Sequence, residues 1–222
     1  MTATAIEPFR FIGCVELRQA LDQRATDERE LLDRLEDVPA GSIFYHTHGY
    51  FLRHRPITTA YGNDFAAWVA GQVRDQVLAE RLAVINPFEF ASLEDLRDEL
   101  MSVVHDHLVR LSAVPRVEFG EAFHFQQSHI VEVPLGAAAA TLAEFRAGLA
   151  EVDASAIYFH MVEARARLGR RSGDFAEWIR SSLALPALAE RIERIDAYMT
   201  SLERVRARVL ALVDDALEGT AA

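Results

Sequence analysis

Apolar residues along the chain fall into two registers. Phe9 and Phe11, followed by Val15 and Leu17, alternate with polar neighbours, and Phe123 and Phe125, followed by Ile130, Val131 and Val133, do so again. A period of two, carried by aromatic and β-branched residues, predicts one short strand at each place. Two lone strands are best satisfied by pairing with each other. Elsewhere the spacing is three and four. Leu31, Leu35 and Val38 open a first series, continued by Ile43, Phe44, Thr47 and Phe51, then Phe65, Trp68, Val69 and Val73, then Leu82 and Ile85, then Leu93, Leu96, Leu100 and Val104. Leu142, Phe145, Leu149 and Val152 open a second, continued by Ile157, Tyr158, Met161 and Leu168, then Phe175, Trp178, Ile179 and Leu183, then Ile192 and Ile195, then Leu202, Val205, Val209 and Val213. Each series predicts about five helices. Thr141-x-x-Glu144 and Thr200-x-x-Glu203 read as capping boxes, Pro186 suits a first turn, and Asp64 and Asp174 are placed to cap the third helix of each series.

The two series are one pattern stated twice. Glu7-Pro8-Phe9-Arg10-Phe11 returns as Glu121-Ala122-Phe123-His124-Phe125, and Ser42-Ile43-Phe44-Tyr45-His46 returns as Ala156-Ile157-Tyr158-Phe159-His160. Asn63-Asp64-Phe65-Ala66-Ala67-Trp68-Val69 returns as Gly173-Asp174-Phe175-Ala176-Glu177-Trp178-Ile179. The expected fold is therefore mainly α, or α+β with one short strand per half: two pseudo-symmetric tandem helical repeats packed together. The first repeat is assigned to residues 1–111 and a degenerate second to residues 117–222, with Ser112 to Arg116 as a short linker.

Composition narrows the partners. A formal charge of −11 argues against nucleic acid, whose binding rests on Lys and Arg neutralising phosphates, and against an anionic membrane surface. A local anion site remains possible, because local fields can oppose the global charge. The single cysteine, Cys14, permits no disulfide within the chain, and the first residues lack the basic and apolar regions of a signal peptide, so a cytoplasmic protein is expected. No apolar run reaches the length of a membrane span.

The densest polar cluster is Tyr45-His46-Thr47-His48, with His54 soon after. On a continuous helix His46, Tyr50 and His54 share a face, while His46 and His48 point roughly 200° apart and cannot chelate one metal ion. His105 and His107 have the same spacing, so neither metal nor other cofactor is expected. His46 recurs as His160, which suits a histidine bonded to a nearby backbone group, whereas His48 becomes Val162 and His54 becomes Leu168 and are freer for function. Arg53 and Arg55, answered by Arg165, Arg167, Arg170 and Arg171, lie where a helix N-terminus could help hold a phosphate or carboxylate. The same cations could simply complement a helix C-terminus. Trp68 and Trp178 fall on the apolar stripe and are expected in the core. No nucleophile elbow, Walker loop or dinucleotide fingerprint is present.

The run Gly41-Ser42-Ile43-Phe44-Tyr45-His46-Thr47-His48, with Asn63 to Val69 and Leu78-Ala79-Glu80-Arg81-Leu82, resembles an uncharacterised bacterial and archaeal family, domain of unknown function 5752. The second copy resembles a degenerate member, and together they cover nearly the whole chain. The resemblance implies no activity. It directs attention to His46, His48, Asn63 and Asp64, and marks Gly49 as a departure where the family pattern has a basic residue. With Arg53 and His54 these are the candidate binding residues. The expected function is a ligand- or protein-binding or regulatory module, its partner a small anion or a protein. The alternative is an enzyme using His46 or His48 as general acid or base on a phosphorylated or carbohydrate substrate. Apolar residues off the helical stripes (Val84, Phe88, Phe90, Tyr198, Met199) suggest a homodimer near the Phe88–Phe90 loop, or a loop that caps the core.

Overall fold

A computed structural model describes residues 4–53, 61–114, 117, 120–165, 172–198 and 200–221. Of the residues named above, His54, Arg55, Pro115, Arg116, Arg167, Leu168, Arg170, Arg171 and Met199 lie outside this set. Strand β1 runs Thr4–Ala25 and β2 runs Phe123–Thr141, and the two pair in an antiparallel two-stranded sheet. Helices α1 (Glu28–Asp37), α2 (Ala40–His46), α3 (Tyr50–Arg53), α4 (Asp64–Trp68), α5 (Gln76–Ala83) and α6 (Leu93–Leu108) lie between the strands. After β2 come α7 (Leu142–Glu151), α8 (Ala154–Tyr158), α9 (Asp174–Ser181), α10 (Pro186–Glu193) and α11 (Leu202–Ala221). α4 and α8 each run on into a π-helical turn, Val69–Val73 and Phe159–Glu163. No described helix is long and apolar enough to cross a membrane.

The mainly α expectation is corrected. The strands are 22 and 19 residues long rather than short, and the fold is α+β. The tandem arrangement is overturned as well. The chain divides into one compact unit of Glu16–His129 and another of Met1–Val15 with Ile130–Ala222. Each strand changes unit along its length. Phe123 and Phe125 therefore pack among the helices of the first series, against Phe65 and Trp68, while Phe9 and Phe11 pack among those of the second, against Phe145, Phe175 and Trp178. Where a strand's aromatic pair is spent depends on the topology of the sheet, which the order of the chain does not reveal.

Within the 16–129 unit the predicted stripes hold: Leu31, Leu35, Phe65, Val69, Leu82, Leu96, Leu100 and Val104 are buried together. α1 begins as a capping box, Asp27 accepting from the Glu30 amide while the Glu30 carboxylate accepts from the amide and hydroxyl of Thr26. In the other unit the Thr141 box forms as predicted, its hydroxyl accepting from the Glu144 amide and the Glu144 carboxylate from that of Ala140. Val15 and Leu17, which continue the alternation begun by the buried Phe9 and Phe11, are 52% and 55% exposed.

Two outcomes test this arrangement. A fragment of residues 16–129 is expected to unfold cooperatively, and a fragment of residues 1–111, deprived of Phe123 and Phe125, to show no cooperative transition in circular dichroism. Phe125→Ala in the full chain is expected to cost about 3–5 kcal/mol in chemical denaturation, against about 0.5 kcal/mol or less for exposed Val84→Ala.

Candidate functional site

Helix α2 stops at His46. Thr47 turns back its hydroxyl to the carbonyl of Ile43 and the Gly49 amide bonds to that of Phe44, so α3 starts in a new direction. The expected continuous face is thereby broken between His46 and Tyr50. The His46 ring lies between the α4 N-terminus and β2. Its Nδ1 stands 2.8 Å from an Asp64 carboxylate oxygen, and its Nε2 accepts the amide N–H of Gln126 at 3.1 Å. An acceptor at Nε2 assigns the proton of the neutral ring to Nδ1, which donates to Asp64. Phe123 and Phe65 enclose the ring, and burial holds its pKa below the usual imidazole value against the opposing pull of Asp64.

Asn63, not Asp64, caps α4. Its side-chain oxygen accepts from the Ala66 amide at 2.8 Å and its NH₂ donates to the Leu82 carbonyl at 2.9 Å, so one residue closes α4 and ties it to α5. Asp64 is freed for His46 and Arg53. The Arg53 guanidinium donates to Asp64 and to the Tyr45 carbonyl, lies over the Tyr45 ring at 3.8 Å, and stands 3.7 Å from a carboxylate oxygen of Glu16. A Cβ at Gly49 would fall 2.8 Å from both Arg53 Nη1 and the Tyr45 carbonyl. Gly49 therefore makes room for Arg53.

Glu16 is a site residue that the sequence reading does not single out. It sits on the strand face opposite the exposed Val15 and Leu17, and its side chain is only 7% exposed. Burial pushes its carboxyl up, opposed by the positive charges of Arg53 and Arg18. Its even position is out of step with the buried Phe9 and Phe11, so the alternation along the strand gives no signal for it. His48 is buried, its ring stacked on Phe44 and edge-on to Phe88. The structure thus brings His46, Arg53, Asn63 and Asp64 together, and places His48 in a separate aromatic sandwich.

The same bridge recurs in the second unit. His160 Nδ1 lies 2.9 Å from Asp174, and Nε2 accepts the amide of Ile12 at 2.9 Å. Trp68 and Trp178 likewise donate their indole N–H to the carbonyls of Glu121 and Glu7, each shortly before its strand's aromatic pair.

A family profile described as "Family of unknown function (DUF5752)" matches residues 6–214, and the chain belongs to that family. The structure of OrfY from Thermoproteus tenax is similar to it, at 28% sequence identity and a TM-score of 0.84 over 96% of this chain and 97% of that one. No protein of curated function matches the chain.

Two measurements check the bridge. His46 carries a folded-state pKa below its unfolded one, so its contribution is present above about pH 6.5 and is lost as pH falls below that value. His46→Gln is expected to be less stable than wild type at pH 8, with the gap closing toward pH 5; a gap independent of pH would remove this reading. Asn63→Ala, which orphans an amide and a carbonyl, is expected to cost about 1–3 kcal/mol by urea denaturation.

Proposed function

We propose that this member of the DUF5752 family is a non-catalytic binding or regulatory module that receives a small anionic ligand at Arg53. The reading is carried by an unbroken chain of bonds from Arg53 to Asp64, from Asp64 to His46, and from His46 to the Gln126 amide of β2. Arg53 and His46 share one oxygen of Asp64. An anion that draws the guanidinium away leaves that oxygen to His46 alone and removes a positive charge that adds a little to the larger effect of burial in depressing the imidazole pKa. Ligand state at Arg53 is then felt at the strand.

Catalysis by a histidine of Tyr45-His46-Thr47-His48 fits the geometry less well. A general acid or base needs a ring nitrogen within reach of substrate, and both nitrogens of His46 are engaged at 3% exposure. His48, sandwiched by Phe44 and Phe88, is 5% exposed. A protein partner is the second occupant we propose, a second copy of this chain among them. Phe88 and Phe90 are each half-buried, which favours the loop as a cap on the core. Light scattering at high micromolar concentration decides that point. We place the protein in the cytoplasm on the strength of its single cysteine.

The test is thermal shift against inorganic phosphate and citrate at millimolar concentration. The wild type is expected to gain at least about 2–4 °C, the size of a 1 kcal/mol effect in a chain of this length. Arg53→Gln should abolish the gain and Arg53→Lys should keep part of it. The absence of any shift, or an equal shift in Arg53→Gln, would overturn the anion assignment.

A further inference from the structure

Three helix ends in the 16–129 unit converge on a second polar cluster, independent of Arg53. Glu28 is the first residue of α1, Asp75 caps α5, and His107 stands in the last turn of α6. His107 Nε2 lies 2.9 Å from Asp75 Oδ2 and 3.8 Å from Glu28 Oε2, and one ligand-type atom from each residue lies within 4.8 Å of the others. We infer that Glu28, Asp75 and His107 form a binding site for a divalent transition-metal cation of the Zn²⁺ or Mn²⁺ kind.

The observation that points to a ligand is Glu28 itself. The residue is 0% exposed, and among the described residues neither carboxylate oxygen has a hydrogen-bond partner. Helix capping does not need it, because Asp27 and Glu30 already form the capping box at that end. A fully buried acid left over from capping, turned toward a second carboxylate and an imidazole, is costly unless something positive joins them. Asp75 is divided in a way that suits the same role: Oδ1 accepts from the Leu78 amide, and Oδ2 is left for the cluster. Exposure of the side chains is 0% for Glu28, 7% for His107 and 12% for Asp75, so water has little access to neutralise them.

Ligand chemistry selects the ion. Tetrahedral bonds of about 2.1 Å hold ligand atoms roughly 3.4 Å apart, and the His107–Asp75 and His107–Glu28 pairs, at 2.9 and 3.8 Å, bracket that separation. One imidazole nitrogen with two carboxylates suits Zn²⁺ or Mn²⁺, whereas Mg²⁺ and Ca²⁺ prefer all-oxygen sets. A cation here would fasten α1, α5 and α6 at a single point. The sequence reading discounts His107 because His105 is its wrong partner; the right ones lie at the ends of two other helices.

The full chain, stripped with chelator, is titrated with Zn²⁺, Mn²⁺, Mg²⁺ and Ca²⁺ and followed by thermal unfolding. At a hundredfold excess over Kd, Zn²⁺ or Mn²⁺ is expected to raise Tm by about 5–10 °C, and Mg²⁺ and Ca²⁺ to have no such effect. Glu28→Gln, which removes a buried unpartnered charge, is expected to fold and to lose the metal response. A parallel measurement needs no variant: substoichiometric Mn²⁺ should broaden the His107 ring resonances first and most, ahead of those of exposed His124 and His129. No response to any of the four ions, a response that persists in Glu28→Gln, or broadening of the exposed histidines alone would overturn the site.

Discussion

A buried histidine that donates to a carboxylate on one side and accepts a strand amide on the other is the interaction on which each unit depends. An imidazole in the interior is tolerable only if both nitrogens are satisfied and the ring stays neutral. His46 meets both conditions at once, with Asp64 at Nδ1 and the Gln126 amide at Nε2. Directionality follows from this. A carboxylate can only accept, so it fixes the tautomer, and the tautomer obliges the other nitrogen to look for a donor. The donor it finds is a backbone N–H that an edge of a two-stranded sheet would otherwise leave without an interstrand partner, at a cost of about 1–3 kcal/mol when buried.

The aromatic core is set in place by that bond. Gln126 follows Phe125 directly, so anchoring its amide fixes where Phe123 and Phe125 enter the helices, and the indole of Trp68 pins the same segment at Glu121. Phe123 then touches His46, Phe65 and Trp68 within 4.7–5.6 Å between ring centroids. Apolar packing supplies most of the stability, being non-directional, and the two polar anchors give it a register. A long, exposed two-stranded ribbon has little of its own to prevent slippage, so its register has to be imposed from outside.

Much of the helical layer is legible in the sequence because helix stripes are local: Phe65, Trp68 and Val69, or Leu96, Leu100 and Val104, lie within one or two turns of each other. The strands are legible at their aromatic ends and at Val15, Leu17, Ile130, Val131 and Val133, but not over their full length. Beyond Phe125, β2 reads Gln126-Gln127-Ser128-His129 and later Pro134-Leu135-Gly136 with a run of alanines, none of which is a strand signal. Its extension comes from pairing with β1, a contact distant in sequence. The cap of α4 is misread for a smaller reason: Asn63 and Asp64 are both good caps, and only the demand of His46 for a carboxylate decides which one serves. His46, Arg53 and Asp64 can be named from residue type and spacing, but Glu16 and the partners of His107 cannot, because each belongs to an element paired through the fold.

The two units separate what the bridge requires from what merely accompanies it. Asn63 in one is Gly173 in the other, and no side chain caps α9. A Cβ at Gly173 would lie 2.7 Å from the His160 carbonyl, so the closer approach of the helix there leaves no space for a capping residue. Exchanging an asparagine cap for glycine costs only a few tenths of a kcal/mol, since the bare amides are reached by water or by neighbouring groups. Losing the histidine would strand a carboxylate and a strand amide together, which no solvent can easily repair at that depth. His160, Asp174 and the Ile12 amide accordingly persist where the cap does not. Both units thus hold the same histidine–carboxylate–amide bridge, while the side-chain cap is present in one of them.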